Sequence, residues 1–295
     1  MTDRPRPTDR GRSADRPPES TGGRLPTDRA SGSTARWRPT AKGFGADRRA
    51  VSETLGYILV FSIVILTIST VSVVGFTGLE DRQAAEEVTN VERALDVLQD
   101  NFGDLRRYED PSRATEVRLA SGTLGTGESV RVTVGQWEGS GFVTDRQTNV
   151  SLQPLVYRSD RSRVVYEAGV VFRSDGDRSI ARSSTPFVDG DDRAVMPVVA
   201  THPGGETTAV GGERTVLVVG ERAPRGIKKS VFNSTVAGDD LRLRIESPRA
   251  DGWARQLRSE GYSVNETLTT EAEVVADLSA KRASLPESHV DVWFR

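Results

Sequence analysis

The sequence predicts an α+β protein in which one long N-terminal helix, half transmembrane and half amphipathic, packs on an extracytoplasmic antiparallel β-sheet or sandwich domain. Three observations carry that expectation. No charge occurs in the 26 residues from Thr54 to Leu79; a heptad stripe of apolar residues follows; and from Ala114 onward the apolar pattern changes to a period of two.

Residues 1–50 come first and read as a disordered cytoplasmic leader. MTDRPRPTDRGRSADRPPESTGGRLPTDRASG is built from Pro, Arg, Asp, Ser and Gly with almost nothing apolar, so burial cannot offset the entropy of ordering it. The TDR triplet recurs at Thr2, Thr8 and Thr27, but its irregular spacing marks compositional bias and no structural repeat. The leader holds 12 Lys/Arg against 6 Asp/Glu, and the remaining chain 28 against 36, so a basic front and an acidic body flank the apolar run. Interspersed acids, and the lack of an aromatic pattern beyond Trp37 and Phe44, argue against a nucleic-acid partner.

Residues 51–79 are the predicted transmembrane helix. Its core, LGYILVFSIVILTISTVSVV from Leu55 to Val74, matches the roughly 20 residues an α-helix needs to cross a bilayer at about 1.5 Å per residue. A core helix of a soluble protein seldom stays uncharged for so long. Lys42, Arg48 and Arg49 precede the span, whereas Glu80 and Asp81 follow it. The positive-inside rule then predicts a single pass through the cell membrane, N-terminus cytoplasmic and C-terminal domain extracellular, with the lipid bilayer as the first partner. A cleavable secretory peptide would have a shorter apolar region and a small-residue cleavage site beyond it. Three sequons, at Asn149, Asn233 and Asn265, agree with export and are candidate N-glycosylation sites; the chain has only five asparagines.

Residues 80–110 continue as an amphipathic helix after an interruption at Gly75 and Gly78. Ala84, Val88, Val91, Leu95, Leu98, Phe102 and Leu105 step by four and three along one face, with Glu86, Glu87, Glu92, Arg93, Asp96 and Asp100 elsewhere. Such a stripe serves either the protein's own sheet or a neighbouring subunit, and its short length favours the former.

Residues 111–295 are the predicted β-rich domain. TEVRLA, SVRVTVGQW, RVVYEAGVVF, AVMPVVA, RTVLVVG, LRLRIES and HVDVWF are strand-like runs, separated by Gly-Thr-Gly, Ser-Asp-Gly-Asp, Asp-Gly-Asp-Asp and Pro-Gly-Gly turns. One short helix interrupts them from Ser247 to Leu257, with Pro248 in its first turn and Trp253 and Leu257 on one face as core contacts.

Chemistry is sparse. With no cysteine, disulfides, thiolate metal sites and thiol nucleophiles are excluded together. His202 and His289 lie far apart in sequence and read as two isolated structural residues. The Asp175-Gly-Asp177 and Asp189-Gly-Asp191-Asp192 loops lack the ligand order of a calcium loop and read as hairpin turns. Gly204-Gly205 and Gly211-Gly212 lack the Lys-Ser/Thr of a phosphate cradle, and no Gly-x-Ser-x-Gly elbow occurs. The expectation is a protein that is not an enzyme and holds no cofactor or metal.

Arg48-Arg49-Ala50 followed by Val51-Ser52-Glu53-Thr54-Leu55-Gly56 resembles the signal of archaeal type IV pilin-like proteins. The VSETLGYILVF run, the GFTGLED exit, the heptad helix and the β-rich remainder together resemble haloarchaeal pilin-like envelope proteins of unassigned function. The resemblance implies a prepilin-type peptidase cutting between Ala50 and Val51, with Arg49 and Ala50 ending the leader. It also implies other pilin-like subunits as partners. Glu53 would be the third mature residue and could neutralise the new ammonium at Val51; in an uncut chain the same Ser52-Glu53 pair would cap the helix. The expected function is therefore a pilin-like cell-surface protein, a minor pilin or envelope component processed before Val51. The alternative is an uncleaved single-pass protein whose β-domain is a binding or sensor module.

Overall fold

The computed structural model describes the backbone of residues 48–108, 110–160, 162–176, 178–233 and 240–295 and, apart from 48–51, 77–81, 224–233 and 240, their side chains. The leader's expected disorder falls on residues 1–47, outside those described. The chain divides into two compact units, residues 1–64 and 65–295. Of the first, the described part is helical from Arg48.

One α-helix runs from Arg48 to Tyr108, 61 residues. Gly75 and Gly78 do not interrupt it, because a single glycine costs a helix only about 1 kcal/mol and strong helix formers follow. Ser52 therefore stands inside the helix, a full turn past its start, and does not cap it.

The rest of the second unit is mostly β, in three sheets where alternation alone predicted one sheet or a sandwich. The first runs, in spatial order, Ser112–Leu119, Arg214–Asn233, Arg282–Phe294, Ala194–Val195 and Val188–Asp189, with Val198–Pro203 also pairing parallel to Arg282–Phe294. The second runs Ala209–Gly211, Thr123–Thr126, Leu155–Arg158, Ser162–Glu167, Val170–Asp175 and Arg178–Ala181. The third runs Ser263–Val264, Glu273–Leu278, Asp240–Glu246, Val130–Glu138 and Gly141–Leu152. Both of these are antiparallel throughout.

Two buried clusters hold these layers together, and the pleat sorts residues between them. Val199, Val290, Val292, Tyr157, Val164 and Tyr166 join Val88, Val91, Leu95, Leu98, Phe102 and Leu105 of the long helix. Their neighbours Val198, Ala200, Leu285, Val156 and Val165 point the other way, into a cluster with Val132, Val134, Leu243, Val274 and Trp253. Strands of the first two sheets are thus buried on both faces, which explains their near-continuous apolar runs. From Val88 onward the heptad stripe is consumed inside the protein's own core, each of those six residues being at most 3% exposed, whereas its first expected member, Ala84, is exposed.

Burial on both faces also explains where the strand reading slipped. RVVYEAGVVF is two strands, turned at Ala168 (φ 52°) and Gly169 (φ 94°), the pair of positive φ values a tight two-residue hairpin requires. AVMPVVA splits into Ala194–Val195 and Val198–Pro203, and part of the expected Gly-Thr-Gly turn lies in the strand Thr123–Thr126. The short helix spans Ala250–Ser259, two residues beyond Pro248, and buries Trp253 and Leu257 completely.

Candidate anchoring and processing segment

Ser52–Phe76 is 25 helical residues long and apolar enough to cross a membrane, and none of the window is buried within the protein. Leu55, Ile63, Leu66 and Val74 are between 54% and 68% exposed. An apolar surface of this extent, all round a helix, is what a membrane-crossing helix presents, by length and composition. Tyr57 and Phe61, one turn apart, stack with ring centroids 6.4 Å apart. The Thr70 hydroxyl donates to the Leu66 carbonyl at 2.8 Å, so the helix closes this polar group internally, as a hydrocarbon surrounding requires.

Of the residues in the proposed processing motif, Arg49, Ala50 and Val51 are helical in backbone, and their side chains lie outside those described. Glu53 is exposed. Asn149 is exposed on the Gly141–Leu152 strand, opposite Thr133. Asn265 opens a turn in which its side-chain oxygen accepts the Leu268 N–H at 3.2 Å. Asn233 ends the long strand Arg214–Asn233, its side chain outside those described. The sequons thus fall on three separate segments and form no common site.

Beyond the span, the helix is tied to the sheets by two acids that lie outside its apolar stripe, Glu87 and Glu92. Glu87, 8% exposed, accepts the N–H groups of Ala120 (3.0 Å) and Ser121 (2.6 Å), the Ser121 hydroxyl (2.7 Å) and the Tyr157 hydroxyl (2.7 Å). Burial pushes its carboxyl up, but the bonds from Tyr157 and Ser121 together hold it below the ordinary carboxylate value. Burial and the Glu87 carboxylate push the Tyr157 phenol well up. Glu92, 7% exposed, faces Arg173 Nη1 at 3.2 Å and Arg182 Nε at 3.7 Å. The signal in sequence was position: Glu87 directly precedes stripe residue Val88 and Glu92 directly follows Val91, so both flank the buried face.

A third buried acid, Glu167, is fully enclosed; it accepts the Trp253 indole N–H at 2.7 Å and the Arg249 Nε–H at 2.6 Å. Beside it, Arg163, Ser174, Ser179, Arg249, Asp251 and Glu271 line a cleft of about 440 Å³. Two of its four charged residues are engaged within the protein, Arg249 by Glu167 and Asp251 by Arg255 and the Ser179 N–H. The two acidic loops are engaged likewise: Asp175 accepts the Ser162 hydroxyl at 2.5 Å, and Asp189 the Ser279 N–H at 2.8 Å. Among the described residues no three His, Cys, Asp or Glu side chains converge as metal ligands.

The two histidines are not isolated. Neighbouring parallel strands bring His202 Nε2 to 3.0 Å from His289 Nδ1, a juxtaposition across 87 residues that no local spacing rule could signal.

Residues 49–293 match a family whose description is "Family of unknown function (DUF7289)". The match takes in the span, the amphipathic helix and the sheets together, and begins at the arginine of the proposed processing motif. No curated protein and no solved structure matches the chain.

Proposed function

We propose that this chain, which belongs to the DUF7289 family of unknown function, is a pilin-like cell-surface protein, anchored by Ser52–Phe76 and processed before Val51. The observation that carries the reading is that one helix supplies both an exposed apolar span and the stripe buried in the core. Anchor and domain are then a single element, as the resemblance to archaeal type IV pilin-like proteins implies. The family match supports it further, since the matched region starts at Arg49 and leaves residues 1–48 outside. Processing would free an ammonium at Val51 beside Glu53, and the residues from 51 into the span would meet neighbouring subunits or lipid. The β-rich domain would stand outside the cell, without catalytic activity.

Mass spectrometry of the membrane-extracted protein tests this directly. The expected mature N-terminus is Val51, and Arg49→Leu should accumulate a precursor longer by 50 residues. A mature pool that retains the leader would favour an uncleaved anchored protein instead.

A further inference from the structure

His202 and His289 are the chain's two histidines. Their rings lie 16° from parallel with centroids 5.3 Å apart, and the facing nitrogens, His202 Nε2 and His289 Nδ1, are 3.0 Å apart. A hydrogen bond of that kind needs a proton on one nitrogen and a bare lone pair on the other. On its far side, His289 Nε2 lies 3.4 Å from Glu287 Oε2, a carboxylate only 4% exposed whose Oε1 has no hydrogen-bond partner among the described residues.

The row Glu287–His289–His202 is satisfied in two protonation states. With both rings neutral, His289 donates from Nε2 to Glu287 and accepts the His202 proton at Nδ1. With one ring charged, His289 donates from both nitrogens and His202 accepts. Charging both rings sets N–H against N–H across 3.0 Å between two cationic rings with centroids 5.3 Å apart, and no tautomer of the pair relieves it.

We propose that this pair is an acid-operated latch on the edge of the first sheet, closed while at most one ring is charged and opened when both are. The strand it holds, Val198–Pro203, pairs with Arg282–Phe294 on one side, and on the other Thr201 exchanges two hydrogen bonds with Gln153. Just beyond His202 the chain turns across the Trp293 indole: the Gly204 N–H donates to the Val292 carbonyl at 2.8 Å, and a Cβ on Gly204 would stand 2.5 Å from the ring. In the open state this turn would lift from the Trp293 indole, which is part-exposed when the latch is closed.

Other charged groups surround the pair. Asp291 stands beside His202 in register, and Glu221, bonded by Arg295, stands opposite Asp291. Lys228 is opposite Glu287 in register, its side chain outside those described, and the Gly141–Leu152 strand, which also packs on Val198–Pro203, has Asp145 and Arg146 as its charged residues, Arg146 donating to Gln136. Histidine is the side-chain type that ordinarily changes charge between pH about 5 and 8. The latch rests on side-chain geometry and stands whether or not the leader is processed.

The full chain in detergent micelles tests it. With only two histidines present, every imidazole ¹⁵N signal belongs to the pair. Lowering the pH from 8 to 5 should make the two rings titrate in linked steps, the second accompanied by a red shift of tryptophan emission that Trp293→Phe removes. His202→Gln, which keeps a neutral hydrogen-bonding side chain, should abolish the shift. Independent titration of the two rings, an unchanged emission in the native protein, or a shift that persists in Trp293→Phe would each overturn the latch.

Discussion

The Tyr157 hydroxyl donates to Glu87 Oε1 at 2.7 Å, joining the long helix to the second sheet across 70 residues of sequence. Glu87 receives three further bonds from Ala120 and Ser121, so it closes the end of the strand Ser112–Leu119 as well. Glu87→Ala leaves several buried donors without an acceptor, each costing about 1–3 kcal/mol. The expected result is a loss of about 3 kcal/mol in urea unfolding, with Tyr157→Phe costing about 1 kcal/mol.

The same carboxylate gives a pH dependence. Its value in the folded protein lies below the ordinary 4.5, so its contribution is present above 4.5 and is lost as the pH falls through the lower folded value. Acid unfolding followed by circular dichroism should lose that part of the slope in Glu87→Gln, and an unaltered acid limb would exclude Glu87 as its source.

The stripe and the opposite face of the helix should respond very differently. Leu95 is fully buried and Val97 is 53% exposed. Leu95→Ala is expected to cost about 2–5 kcal/mol, and Val97→Ala less than about 0.5 kcal/mol. Equal losses would mean that the exposed face is covered too, as by a neighbouring subunit.

Gly220 lets the Arg214–Asn233 strand approach the helix side chain Phe102 closely. A Cβ there would lie 2.4 Å from Phe102 Cε1 and 3.0 Å from a Val290 methyl. Gly220→Ala should destabilise by about 1–3 kcal/mol through overpacking. Combining it with Phe102→Leu should recover part of that loss, which a double-mutant cycle measures.

Glu167 is the costliest acid to remove. Glu167→Ala would strand the Arg249 guanidinium and the Trp253 indole N–H in the core, a loss of about 3–5 kcal/mol by thermal melting. The further substitution Arg249→Met should restore part of it by removing the orphaned charge.

What the sequence made legible was whatever its periodicity records. The 25-residue apolar span and the stripe from Val88 to Leu105 are local patterns, and both are read from spacing alone. Ala168-Gly169 was hidden because Val164–Tyr166 and Val170–Phe172 are buried on both faces, which erases the alternation that marks a turn between strands. Short edge strands such as Ala209–Gly211 and Ser263–Val264 carry too few residues for a period to appear. Glu87 with Tyr157, and His202 with His289, pair across long stretches of chain, so only the register of the sheets brings them together.

The continuous helix also dictates where a soluble fragment can begin. A cut at Ser112, the first strand, would discard Val88 through Leu105 and leave Val117, Tyr157, Val216 and Val290 as an open apolar surface. A cut upstream of Phe76 would keep part of the membrane-compatible segment and carry it into water. The workable boundary is the interval between Phe76 and Glu87, in which the helix changes from a segment with no buried residue to one that the protein's own core covers.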